Sequence, residues 1–105
     1  MAKVSSPIQI GSFTLKNRIT FAPTVKFDFT DDSGVANERL ATHYIERAKG
    51  GCGLICVEAV AVTPAGRFCK THMGFWSDEQ IAGHKVITEG CHKYGAVVIV
   101  QLNHT

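Results

Sequence analysis

The sequence predicts an α/β domain built around a parallel sheet. Two nearly continuous apolar runs, 54–62 and 96–102, lack the alternation of a half-exposed strand and are typical of strands buried on both faces. Each run follows a segment with helical periodicity, which is the order of β-α-β units. With 105 residues, the chain has room for one small domain.

The first elements are predicted to be a hairpin and a short strand. Apolar residues alternate on either side of Gly11-Ser12, which predicts a two-residue hairpin over 8–15. A strand is expected near 18–23 and should end at Pro23, because proline cannot donate a hydrogen bond to a neighbouring strand. The segment that follows, 24–37, is polar and rich in turn residues, and a loop of this length in a compact domain is usually functional.

Two helices are predicted between the later strands. Apolar residues recur at three- and four-residue spacing over 38–49, with Asn37 as the N-cap. A capping box at 77–80 begins the second helix, which is expected to run to about Tyr94. The glycines at 50–53 lie between a helix and the next strand, whereas phosphate-binding glycine loops lie between a strand and the next helix. Helix termination is therefore the favoured interpretation.

Composition and charge exclude several classes of function. Eleven Lys and Arg against nine Asp and Glu give a formal net charge of +2, which is too little for a nucleic-acid-binding surface. No apolar run approaches the roughly 18 residues of a membrane helix, and the N-terminus lacks the apolar core of a signal peptide. We therefore expect a cytoplasmic protein whose four cysteines are reduced thiols.

The predicted sheet leaves two strand edges open. The last strand, 96–102, is long and apolar, and such an edge promotes aggregation unless something covers it. We expect that the chain is part of a larger α/β fold or that another chain completes it. A self-contained three-stranded domain is the alternative for the fold. For the function, the alternative is a truncated, non-catalytic module that self-associates through its strand edges.

Polar residues near the C-terminal ends of the strands are the candidates for chemistry, because ligand sites in parallel α/β folds lie at that edge. Glu58 occupies a buried strand, so it is either a catalytic base with a raised pKa or the partner of Arg18 or Arg47 in an ion pair. Gln101 offers one acceptor and two donors, which suits the edge of a planar heterocycle; a satisfied core amide is the alternative.

Two further patterns are less specific. Cys69 and His72 have a spacing that can hold two metal ligands, but a site needs three or four, so no metal is expected. Phe75 and Trp76 precede the capping box, where packing against the start of the helix is favoured over a platform for stacking a ligand.

Short motifs along nearly the whole chain occur in the order of a known family. They are PIQIGSFTLKNRI at 7–19, AP at 22–23, HY and RA within 43–48, GCGL at 51–54, VEA at 57–59, PAGR at 64–67, WSDEQ at 76–80 and QLNH at 101–104. Together they resemble the Old Yellow Enzyme family of NADH:flavin oxidoreductases, and are most similar to its branch of 2,4-dienoyl-CoA and enoate reductases. The resemblance implies the N-terminal part of a (β/α)8 barrel, with the bottom hairpin and about three β-α units.

The resemblance also implies a cofactor, FMN, and the residues that contact it: Pro23, Thr24, Val25, Ala59 and Gln101. Gln101 matches the amide that hydrogen-bonds the pyrimidine edge of the flavin. Phe27 matches an aromatic residue near the substrate pocket. Val25 departs from the family, because many members carry there a Thr or Cys that tunes the flavin.

The implied activity is hydride transfer from NAD(P)H through FMN to an activated alkene, with a small molecule as substrate. The substrate-anchoring, proton-donating and phosphate-binding residues of the family come from later strands. No catalytic residue is therefore expected within 1–105, and the isolated chain is expected to be inactive. We expect a homo-oligomer, or completion of the site by the remainder of the barrel.

Overall fold

The computed structural model describes residues 3–105, which form a hairpin followed by a parallel sheet and two helices. The strands are β1 (Ile8–Ile10), β2 (Phe13–Leu15), β3 (Thr20–Phe21), β4 (Leu54–Ala61) and β5 (Val97–Asn103), and the α-helices are α1 (Glu38–Lys49) and α2 (Ile81–His92). Single 3-10 turns lie at Pro64–Gly66 and Asp78–Gln80. Neither helix has the length and apolar character needed to cross a membrane.

The sheet has the order β3-β4-β5, and both pairs of strands are parallel. Leu54 pairs with Thr20 on one side and with Val97 on the other, so all three strands begin at the same level. The predicted parallel α/β architecture is confirmed, and the strands of residues 3–105 form an open sheet rather than a closed barrel.

The first parallel strand is shorter than the predicted 18–23. The backbone N–H of Arg18 donates to the carbonyl of Val4 at 2.9 Å, outside the sheet, and Pro23 has no N–H to donate. Only Thr20 and Phe21 therefore pair with β4. The strand predicted at 96–102 is displaced by one residue, because the N–H of Ala96 donates to the carbonyl of Cys91 in the preceding turn.

Helix α1 has the predicted bounds. The side chain of Asn37 accepts a hydrogen bond from the N–H of Leu40 at 3.0 Å, as expected of an N-cap, and Gly51 has a φ of 112°, which other residues rarely adopt. The second helix differs from the prediction, since it opens with a 3-10 turn and ends at His92. After His92 the N–H of Tyr94 bonds three residues back, to Cys91, and Gly95 reverses the chain with a φ of 74°.

The core lies between the two helices and the sheet. Its fully buried members include Leu40 and Tyr44 from α1, Ile55 and Val60 from β4, and Ile87 from α2. The four cysteines are free thiols. Because the helices and strands share one core, the C-terminal ends of the strands are held in a fixed relation to each other.

Candidate functional site

The candidate site is the edge of the sheet where β3, β4 and β5 reach their C-terminal ends. Ala59 and Gln101 are register partners on neighbouring strands, so the structure brings these two predicted residues side by side. Pro23 follows β3 by two residues and therefore lies beyond the end of the adjacent strand. In parallel α/β proteins this edge carries the ligand site.

A bulge in β4 determines which residues face the site. Val57 pairs with Val100 and Ala59 pairs with Gln101, so Glu58 is an extra residue without a partner on β5. Val57 belongs to the core beneath the helices, and Glu58 contacts Tyr44 of α1, so two consecutive residues face the helical layer. Side chains otherwise alternate along a strand, and the bulge therefore directs Ala59 to the opposite face.

Gln101 has a side chain that is free to bind a ligand. The residue is exposed, and within residues 3–105 its amide makes no hydrogen bond. The alternative of a satisfied core amide is therefore wrong. An unengaged amide next to the small side chain of Ala59 presents two donors and one acceptor at an accessible edge.

The segment after β3 presents a mixed surface. Pro23 and Thr24 are exposed, Val25 is half-buried, and the Thr24 hydroxyl donates to the carbonyl of Ala22 at 3.2 Å. Phe27 is 62% exposed and meets Phe68 edge-to-face, with 6.1 Å between the ring centres. An exposed aromatic pair at this edge is a surface on which an apolar substrate can pack.

Glu58 is buried and forms no ion pair with any of residues 3–105, so the predicted partnership with Arg18 or Arg47 is wrong. Its Oε2 instead accepts hydrogen bonds from the hydroxyl of Tyr44 at 2.7 Å and from the backbone N–H of Lys26 at 3.2 Å. The Tyr44 oxygen in turn accepts from the N–H of Glu58 at 2.9 Å. Burial raises the pKa of the Glu58 carboxyl, and the two hydrogen bonds partly oppose that rise.

His72 and Cys69 do not act as a pair. His72 is fully buried, and its Nε2 lies 2.7 Å from the carbonyl oxygen of Ala59, while the Cys69 thiol contacts the Thr71 hydroxyl. A carbonyl only accepts, so Nε2 carries the proton, and Nδ1 has no partner among the described residues. Residues 3–105 contain no cluster of three or more potential metal ligands.

Phe75 and Trp76 pack at the start of the second helix, as predicted. The Phe75 ring meets His84 of α2 edge-on at 4.5 Å, and the backbone N–H of Trp76 donates to the side chain of Gln80 at 2.7 Å. Burial lowers the pKa of His84, whose Nε2 lies 2.9 Å from the carbonyl oxygen of Gly74. These residues organise the helix start rather than the ligand edge.

Sequence reasoning missed the polar roles of Tyr44 and His72. Tyr44 falls on the apolar face of α1 together with Leu40 and Ala48, so its spacing predicts only a core residue. A buried tyrosine hydroxyl requires a hydrogen-bond partner, and that requirement is the one signal that points toward the buried Glu58. No comparable signal marks His72, whose partner is a backbone carbonyl.

The arrangement is chemically a binding surface. It offers a free amide, a small alanine, exposed backbone after β3 and an aromatic pair, and it lacks a nucleophile with an adjacent base. The donor set of Gln101 matches the alternating donors and acceptors on the edge of a flavin pyrimidine ring, and its register partner Ala59 has a small side chain that is 9% exposed. The residues present therefore fit part of a flavin site.

Comparisons with known proteins show which family the chain is similar to. Residues 3–105 match the NADH:flavin oxidoreductase / NADH oxidase family. The chain is 38% identical over 104 residues to an NADPH dehydrogenase of Listeria welshimeri, covering 99% of this chain and 31% of the relative. It is 41% identical over 102 residues to an NADPH dehydrogenase of Bacillus subtilis, covering 97% and 30%.

Solved structures give the same result. The old yellow enzyme homologue from Zymomonas mobilis superposes with a TM-score of 0.90 at 34% identity, over 99% of this chain and 28% of that one. Morphinone reductase in complex with tetrahydroNAD gives 0.89 at 32% identity, over 99% and 28%. The chain thus spans about a third of the length of its curated relatives. On the match over residues 3–105, the chain belongs to the NADH:flavin oxidoreductase / NADH oxidase family.

Proposed function

We propose that this chain supplies part of the FMN site of an NADPH-dependent oxidoreductase that reduces activated alkenes. The observation that carries the proposal is the register pairing of Ala59 with Gln101, whose amide is exposed and unengaged within residues 3–105. Members of the family use FMN, with NADPH as the reductant. When bound, FMN would supply hydride transfer from the nicotinamide to the alkene.

Each predicted contact has a distinct role in this proposal. Gln101 orients the pyrimidine edge of the ring through its amide, and Ala59 leaves room for the ring because its side chain is small. The segment of Pro23, Thr24 and Val25 borders the ring after β3. Val25 offers no side-chain hydrogen bond, so the flavin is tuned there only by apolar contact. Phe27 borders the substrate.

The whole reaction requires groups beyond these contacts. The surface described above holds no proton donor for the alkene and no cationic group placed for a flavin phosphate. We infer that the remaining site residues belong to segments outside the 105 residues, since the chain spans 31% of the Listeria relative. The 105-residue chain by itself should therefore bind FMN weakly and lack activity.

A chimera tests this proposal. This chain would replace the matching segment of the Bacillus subtilis NADPH dehydrogenase, which is 41% identical to it. We expect a yellow protein with bound FMN and NADPH-dependent reduction of an electron-poor alkene. A well-folded chimera without flavin would contradict the proposal, and so would tight, stoichiometric FMN on the isolated 105-residue chain.

A glutamine substitution tests the assigned contact. In the chimera, Gln101→Leu should weaken FMN binding by about tenfold or more, because the ring edge loses its hydrogen-bonding partner. Gln9→Leu is the matched control, since Gln9 is an exposed glutamine in the hairpin. Equal FMN affinity for the two variants would remove Gln101 from the site.

Self-association is a second candidate function. Ile99 and Leu102 of β5 are 47% and 60% exposed, and an apolar groove is lined by Ile10, Phe13, Leu15, Leu54, Val97 and Ile99. We propose that, in the isolated chain, this surface and the free edge of β5 pair with a second copy. Light scattering of the purified chain is the test, and a stable monomer at micromolar concentration would contradict it.

A further inference from the structure

Three separate segments meet at the carboxylate of Glu58. The Tyr44 hydroxyl arrives from α1, the backbone N–H of Lys26 arrives from the segment after β3, and Glu58 itself belongs to β4. Both hydrogen bonds are accepted by one oxygen, Oε2, at 2.7 and 3.2 Å. Glu58 is 2% exposed and Tyr44 is fully buried, so water does not compete for these bonds.

The Lys26 contact lies in the segment that borders the proposed flavin site. Lys26 comes directly after Val25 and directly before Phe27, and its own carbonyl accepts from the N–H of Phe29 at 3.4 Å. This segment has no regular secondary structure. The bond to Glu58 therefore ties an irregular stretch of backbone to the rigid centre of the sheet.

The bulge makes this tie possible. Strict alternation after Val57 would direct Glu58 away from the helices and Ala59 toward them. The extra residue places Glu58 against α1 and leaves Ala59 as the register partner of Gln101. The bulge thus places Glu58 where it can bind the Lys26 backbone, and it places Ala59 where the flavin ring is proposed to lie.

We propose that Glu58 is a positioning residue, whose carboxylate, oriented by Tyr44, holds the backbone at Lys26 and so fixes Pro23–Phe27 against the flavin. The inference rests on the proposed FMN site. It assigns Glu58 no part in proton transfer, because its Oε2 is engaged by two donors and directed toward α1. Burial raises the pKa of the Glu58 carboxyl, and the hydrogen bonds from Tyr44 and Lys26 oppose that rise.

The contacts indicate which variants separate this role from simple packing. Glu58→Gln has a side chain of the same length and keeps an oxygen that accepts hydrogen bonds. Glu58→Leu has a side chain of similar volume but no acceptor. Lys26→Pro removes the donating N–H, and Lys26→Ala is its matched control because it removes only the side chain. Tyr44→Phe removes the hydroxyl and keeps the ring.

Amide hydrogen exchange of the chimera described above gives a readout that needs no flavin. Glu58→Leu and Lys26→Pro should raise exchange over 24–28 by about tenfold or more, with the amides of β4 and β5 unchanged. Glu58→Gln and Lys26→Ala should stay close to the parent, and Tyr44→Phe should lie between. Unchanged exchange over 24–28 in Glu58→Leu would overturn the inference, and so would a uniform rise across the sheet, which indicates loss of packing.

Flavin affinity of the same proteins tests the consequence. Glu58→Leu and Lys26→Pro should weaken FMN binding by about tenfold, with rescue in Glu58→Gln. Faster amide exchange over 24–28 with unchanged FMN affinity would overturn the positioning role. If the parent chimera itself binds no FMN, the proposed function fails, while the exchange data still decide whether Glu58 anchors the segment.

Discussion

The imidazole of His72 lies 2.7 Å from the carbonyl oxygen of Ala59, so a side chain from the loop after β4 holds the strand backbone one residue beyond the bulge. His72 also stacks on Phe68, with 3.9 Å between the ring centres. The contact fixes the tautomer of His72 and occupies the carbonyl of a residue proposed to border the flavin.

Replacing this imidazole tests the contact. We expect His72→Phe to lower the free energy of unfolding by about 1–3 kcal/mol, because the ring still packs but the Ala59 carbonyl loses its donor. Urea denaturation measures the change, and His92→Phe on the exposed face of α2 is the control. Equal stability of the His72 variant and the parent would show that the bond contributes nothing.

His43 makes stability depend on pH. Burial, with Arg47 and Lys26 nearby, lowers its pKa from 6.5 to about 4. The unfolded chain therefore takes up a proton near pH 6.5 that the folded chain accepts only near pH 4, so stability declines as the pH falls through this window.

A variant isolates this contribution. Nε2 of His43 is buried without a partner among the described residues, and the ring packs against Phe21 and Phe29. We expect His43→Phe to be at least as stable as the parent at pH 5 and to lose less stability between pH 7 and 5. Denaturation midpoints measured between pH 7 and pH 5 test this. If the midpoint of the variant depends on pH as steeply as that of the parent, His43 is excluded as the cause.

Arg67 joins two loops near the candidate site. Its Nη1 lies 2.8 Å from Asp32 Oδ1 and 2.9 Å from the Asp32 carbonyl, and its guanidinium lies 5.4 Å from the Trp76 ring. Because Trp76 is the chain's single tryptophan, its fluorescence reports on this contact.

We expect Arg67→Lys to shift the Trp76 emission and to increase its quenching by acrylamide, because lysine lacks the planar fork that makes several bonds at once. Asp32→Asn, which keeps the backbone carbonyl, should have a smaller effect, since an exposed ion pair contributes about 1 kcal/mol or less. Identical spectra for Arg67→Lys and the parent would contradict the assigned contact.

Two glycines in α2 should respond differently to alanine. A Cβ at Gly83 would lie 2.4 Å from the backbone oxygen of Ala36, whereas a Cβ at Gly90 would lie 2.3 Å from the terminal carbon of the Ile45 side chain. The Ala36 backbone cannot move without disturbing the N-cap of α1. The Ile45 side chain, whose Cγ1 would lie 2.6 Å from the new Cβ, must also shift, but it can do so without moving the backbone.

We therefore expect Gly83→Ala to be destabilising by about 1–3 kcal/mol. Gly90→Ala should be less destabilising than Gly83→Ala, since the gain of up to about 1 kcal/mol in helix propensity offsets part of the cost of shifting Ile45. Thermal or urea denaturation distinguishes the two. A larger loss of stability in Gly90→Ala than in Gly83→Ala would contradict the stated difference between backbone and side-chain neighbours.

Val25 offers a test of flavin tuning within the proposed function. Threonine has nearly the same shape and adds a hydroxyl donor. We expect Val25→Thr to raise the flavin reduction potential, because a donor near the ring stabilises the electron-rich reduced form. Potentiometry of the flavin-loaded protein is the measurement, with Val25→Ala as the control for lost volume. A potential that moves equally in both variants would exclude the hydroxyl as the cause.

The sequence was sufficient to predict the elements that depend on local patterns. The apolar runs gave β4 and β5 to within a residue at each end, and Asn37 with Gly51 marked both ends of α1. The 3-10 turn at Asp78–Gln80 escaped prediction, because a capping box specifies where a helix begins and not the pitch of its first turn.

The candidate site was predictable only in part. Gln101 and Ala59 follow from strand order and from family motifs, because parallel strands carry equivalent positions to the same edge. The partners of Glu58 and His72 do not follow, since each is set by a tertiary contact between distant segments. An extra residue in a strand leaves no mark in a continuous apolar run, so the bulge could not be foreseen either.

The unpaired position at Glu58 makes the length of β4 as important as its composition. Deleting Glu58 would let β4 pair regularly with β5 and keep Ala59 opposite Gln101, but it would remove the carboxylate that accepts from the backbone N–H of Lys26. Relatives that share this architecture should accordingly tolerate exchanges of apolar residues there more readily than insertions or deletions.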